Sequence, residues 1–106
     1  MRTREQILSA IAGERDRQAA PKNYGGEGYD AQHDDNYDHR HGELAQAAAC
    51  YAIPPTARRQ PAWPSTWLRR HDKRKKHSRL RQLEIAAALL VAEIERLERI
   101  EFRFGS

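Results

Sequence analysis

Apolar residues recur at helical spacing in three stretches of the chain, and strand-like alternation is nearly absent. From Thr3 to about Ala19, Ile7, Leu8 and Ile11 stand at i, i+1 and i+4 among Arg, Glu and Gln, which predicts a helix with a weak spot at Gly13. From Gly42 to Ala52, Leu44, Ala47, Ala48 and Tyr51 share one face, and five alanines favour helix formation. Such small side chains let a neighbouring helix come close, so a short buried helix is expected here, ended by Pro54-Pro55. The clearest stretch runs from roughly Lys75 to Glu101. In it Leu80, Leu83, Ala87, Leu90, Ile94 and Leu97 follow a 3-4-3-4-3 spacing, while Ile85, Ala86, Leu89 and Ile100 widen the apolar face. The stripe is expected to seat this helix against the first two. A homodimer through the C-terminal helix is the alternative, because the spacing holds over about two and a half heptads.

Between the helices, Pro21 and the run Asn23-Tyr24-Gly25-Gly26-Glu27-Gly28 break regular structure and open a Gly/Asp/His-rich loop over about residues 20–40. A second, Pro/Trp-rich connection covers about residues 53–72, with prolines at 54, 55, 61 and 64. The expectation is therefore an all-α fold, a small bundle of three main helices forming one domain over residues 1–106.

Composition narrows this further. At 106 residues the chain has room for one core, and 39% hydrophobic against 32% charged residues makes that core small. No apolar run approaches the roughly 18 residues that a membrane helix needs, and Met1-Arg2-Thr3-Arg4 leads into polar sequence, so a cytoplasmic protein is expected. The single cysteine, Cys50, excludes an internal disulfide and any Cys-x-x-Cys chemistry. Inside an alanine-rich face it reads as a buried, inert thiol rather than a nucleophile.

Charge is unevenly spread. Residues 1–66 carry 8 Lys/Arg against 9 Asp/Glu, and residues 67–106 carry 11 against 6. The excess lies in Arg69, Arg70, Lys73, Arg74, Lys75, Lys76, Arg79 and Arg81, opposed locally by Asp72 alone. Cations at the start of a helix oppose its dipole, so a phosphate-bearing ligand would relieve a local conflict. Trp63 and Trp67 lie just upstream and are of the type that stacks on bases. Arg69, Arg70, Lys73, Arg74, Lys75, Lys76 and Arg79 with Trp63 and Trp67 are accordingly the candidate phosphate or nucleic-acid site. The plainer account makes the tryptophans core anchors and the lysines a solvated face.

A second cluster, His33, Asp34, Asp35, Asp38, His39, His41 and Glu43, gathers imidazoles and carboxylates suited to a divalent metal. His33, Asp34, Asp35 and Glu43 are the candidate ligands, with Glu84 or Glu93 able to complete the set. Its spacing matches no established metal signature, and helix capping or pairing with the basic run explains it equally. No cofactor is otherwise expected. An acidic stretch from Glu27 to Glu43 also fits a protein that mimics nucleic-acid charge and docks on a basic host partner.

Several phrases occur in a particular order: Glu27-Gly28-Tyr29, His33-Asp34-Asp35, Gly42-Glu43-Leu44-Ala45 with Ala47 to Ala52, Trp63-Pro64, Trp67, and Ala92-Glu93-Ile94-Glu95-Arg96-Leu97. This order resembles a group of small proteins encoded by phages and prophages, over about residues 5 to 99. Tyr29 stands where that group usually has tryptophan, and Leu68-Arg69 follows Trp67 where a Lys-Pro is common. The resemblance implies a phage accessory protein acting in the host bacterial cytoplasm, with a counter-defence or anti-CRISPR role. Its partner would be a nucleic acid, a signalling nucleotide or a host defence complex. The phrase Gly42-Glu43-Leu44-Ala45 is also similar to one in all-α, magnesium-dependent nucleotide pyrophosphohydrolases of the MazG-like type. Those enzymes pair acids as E-x-x-E and E-x-x-D, whereas here Glu43 is followed by Gln46 and Glu93 by Arg96. The expectation therefore leans away from an enzyme.

Overall fold

The computed structural model describes residues 1–19 and 42–104. Over these residues the chain is all-α: α1 spans Arg4–Ala19, α2 Glu43–Ala52 and α3 Arg79–Phe104, with two short 3-10 turns, Arg69–His71 and Arg74–Lys76, leading into α3. Each helix starts for a legible reason. In α1 the Thr3 hydroxyl accepts from the Gln6 backbone N–H at 3.1 Å while the Gln6 side-chain Oε1 accepts from the Thr3 N–H at 2.8 Å. This reciprocal pair closes a capping box. Before α2, Gly42 adopts φ 84, a left-handed conformation that costs glycine little and other residues more. The helix ends where Ile53, preceding Pro54, is held extended. At α3, Ser78 is the cap, its hydroxyl accepting from the Arg81 N–H at 3.2 Å.

α3 therefore begins at Arg79, not near Lys75. Lysines 75 and 76 are good helix formers, but the Ser78 cap sets the boundary and the preceding residues tighten into a 3-10 turn.

The core lies between α2 and α3. Leu44, Ala47, Ala48 and Tyr51 meet Ile85, Ala86, Leu89 and Ala92, and Trp63 and Trp67 pack against this cluster from the connection. The rings of Tyr51, Trp63 and Trp67 meet edge to face, with centroids 6.3 and 5.6 Å apart.

Two expectations about faces are corrected. The stripe Leu80, Leu83, Leu90, Ile94 and Leu97 does not seat α3 in the core: these residues are 67, 42, 47, 55 and 47% exposed. The buried side of α3 is the neighbouring one, with Ile85, Ala88, Leu89 and Ala92. In α1, Ile11 is half-buried, but the deepest positions are polar. Ile7 and Leu8 are exposed, whereas Glu14, Arg15 and Gln18 are buried. Ion pairs carry the contact with α3: Glu14 with Arg81, Arg15 with Glu95 at 2.6 Å, and Arg2 with Glu84 at 2.7 Å.

Candidate functional site

The basic run divides into cations used by the fold and cations left over. Arg79 belongs to the first group. Its guanidinium donates to the carbonyls of Tyr51 (3.0 Å), Ala52 and Ile53 (3.4 Å), the unsatisfied oxygens at the C-terminal end of α2. A cation that opposes the dipole of its own helix thus complements the dipole of another. Arg74 binds Asp72 through two nitrogens at 2.8 and 2.6 Å and reaches the Cys50 carbonyl at 3.3 Å. The Arg74 hydrogen bond holds the Asp72 carboxyl below its ordinary pKa against the opposing effect of burial, and Asp72 in turn raises that of Arg74. Arg81 pairs with Glu14 and Glu84.

Arg69, Arg70, Lys73, Lys75 and Lys76 form the second group. Among the described residues no carboxylate makes an ion pair with any of them. Four of these five, all but Arg70, line an open cleft of about 1010 Å³ between the end of α2, the proline-rich connection and the two 3-10 turns. Trp63 and His77 also line it. Among the described residues its single acid, Asp72, is already matched by Arg74.

The scaffold of this cleft is built from hydrogen bonds to backbone. The Tyr51 hydroxyl accepts from the Lys73 N–H at 2.9 Å, and Gln82 donates to the Arg74 carbonyl at 2.9 Å, fixing the turn that carries Lys75 and Lys76. On the opposite wall the Cys50 thiol faces the carbonyls of Pro61 and Ala62 at 3.5 and 3.4 Å, and Gln46 donates to Ala62 at 2.7 Å. Burial raises the pKa of Cys50 and of Tyr51, in keeping with structural roles. Burial, with Arg70 and Lys73 alongside, holds His71 below the ordinary histidine value.

The structure thus places Arg69, Lys73, Arg74, Lys75, Lys76 and Trp63 around one cleft and leaves Arg70, Arg79 and Trp67 outside its lining. Trp63 also donates its indole N–H to the Leu68 carbonyl at 3.3 Å. Gln82 and His77 were not singled out from sequence and Tyr51 was read there only as a core residue; their position beside the basic turns marks them.

Of the metal candidates, His33, Asp34 and Asp35 lie outside the described residues, as does most of the acidic stretch up to Glu43. Glu43 is buried and accepts from the Thr66 hydroxyl at 3.4 Å. Glu84 is engaged by Arg81 and Arg2, and Glu93 by Arg96 at 2.6 Å. Among the described residues there is no group of three or more His, Cys, Asp or Glu side chains placed to hold a metal, and no helix long and apolar enough to cross a membrane.

Fold and site together define a small all-α protein with a basic, partly aromatic cleft. Comparison with protein-family models, with curated proteins and with solved structures finds no match to this chain.

Proposed function

We propose that the protein is a non-enzymatic binder of phage or prophage type whose cleft takes a phosphate-bearing ligand, a nucleic acid or a signalling nucleotide, in a counter-defence role. The observation that carries the binding reading is the set Arg69, Lys73, Lys75 and Lys76 around one cleft with no carboxylate partner among the described residues. Clustered like charges repel one another, and an anion held among them removes that cost. Trp63, which also lines the cleft, supplies an aromatic surface at the ligand's edge. The phage setting rests on the order of the sequence phrases.

Fluorescence anisotropy with a labelled single-stranded oligonucleotide, alongside calorimetry with ATP, tests the reading. Four phosphate contacts predict a loss of roughly 50-fold in single-stranded oligonucleotide affinity between 50 and 200 mM salt, and a smaller loss for an enclosed nucleotide. Replacing Arg69 and Lys75 together by glutamate is expected to weaken binding at least tenfold. The same change at Arg59, exposed and outside the cleft lining, should leave it unaltered. Absence of binding to either probe at 50 mM salt, or equal binding by both variants, removes the proposal.

A further inference from the structure

α3 carries two apolar faces, and the fold uses one. In heptad terms, Leu80, Ala87 and Ile94 occupy a positions and Leu83, Leu90 and Leu97 d positions. The core residues Ile85, Ala88, Leu89 and Ala92 fall at b, c and f. The a/d stripe is thus a coiled-coil seam on the outside of a helix whose other side is fully occupied. From its geometry we infer that a second copy of this chain covers the seam, so that the protein is a two-fold symmetric dimer with the two α3 helices antiparallel.

Three features select this occupant. The first is pattern: a strict 3-4 spacing of large aliphatic residues is self-complementary, and an antiparallel register centred between Ala87 and Leu90 pairs every layer. Leu80 then meets the partner's Leu97, Leu83 meets the partner's Ile94, and the small Ala87 meets the partner's Leu90. The second is area. At these exposures the five aliphatic side chains present on the order of 500 Å² per protomer, as large as the biggest patch on a typical monomer. Doubled, this reaches the roughly 1000 Å² of a specific interface.

The third is charge. Glu84 and Glu93 beside the seam are matched by Arg81, Arg2 and Arg96, and Glu98 adds a further acid, so the seam offers no basic excess to a nucleic acid or an anionic lipid surface. Along the axis, Lys75, Lys76 and Arg79 mark the N-terminal end, and Glu98 and Glu101 the C-terminal end. Antiparallel pairing sets the acidic C-terminal end of the partner's helix at the level of the basic N-terminal end. A parallel pair instead opposes Glu93 to the partner's Glu98 and brings two lysine-rich ends together.

Sedimentation equilibrium of the full chain tests the inference. The mass should approach twice 12.3 kDa at tens of micromolar. Leu90→Glu, on the exposed face, should shift dissociation at least a hundredfold while circular dichroism stays helical. In Leu83→Cys mixed with Ile94→Cys, oxidation should link the two different variants, and Leu83→Cys alone should give no linked pair. A monomer at all concentrations, or a dimer unaffected by Leu90→Glu, overturns the inference. Self-linking of Leu83→Cys overturns the antiparallel arrangement. A monomer that cosediments with anionic lipid vesicles assigns the seam to a membrane surface and overturns it as well.

Discussion

Glu14 is a carboxylate whose side chain is wholly buried, and its stability depends on what surrounds it. Burial alone would raise its pKa. The Arg17 hydrogen bonds at 2.9 and 2.7 Å, the charges of Arg17 and Arg81, and the Gln18 amide together outweigh burial and hold it below the ordinary value of 4.5. A depressed folded-state pKa contributes stability that is present above the ordinary value and is lost as pH falls through the folded one. Glu14→Gln is therefore expected to cost about 2 kcal/mol at pH 7. Wild type and variant should converge in melting temperature as pH falls through the depressed folded-state value, since protonation removes the same charge. Calorimetric melts across pH 3 to 7 check this. Arg79 shows why such roles are hard to read from sequence. Eight cations in a run look alike along the chain, yet the guanidinium facing the end of α2 becomes a cap and the ammonium groups on the turns face the cleft. The run itself was legible; the division of labour needed the position of a helix more than twenty residues away.

At the scale of the element, the three helices and the Pro/Trp-rich connection over about residues 53–72 were legible because spacing, alanine content and paired prolines are local signals. The face of α3 that enters the core was not. Both candidate faces are apolar, so periodicity is satisfied either way. The choice is made by α2, whose Ala47 and Ala48 bring its backbone close and so favour the alanine-rich side of α3, with Ala88 and Ala92, over the leucine-rich side. The start of α3 has a local signal that lysine propensity obscured, the serine at 78. Ser78→Ala should cost about 1 kcal/mol, or a fall of about 4–8 °C in melting temperature, and Ser78→Asp should recover most of it. Amide exchange in the first turn of α3 would show the loss as faster exchange confined to that turn.

At the scale of the whole molecule, α3 is the shared spine, and its two neighbours are attached by different physics. α2 is held by apolar contact with α3, whereas α1 is held through Glu14, Arg15 and Arg2 by charged contacts. Acid titrates the carboxylates but leaves apolar burial in place. α1 should therefore come away first as pH falls, leaving α2 on α3, so that unfolding departs from a single transition. Both tryptophans sit against the apolar half, far in kind from the charged one. Their emission reports on one attachment only. A titration followed by indole fluorescence will register nothing while sixteen residues of helix unwind, and ellipticity at 222 nm will record the event alone.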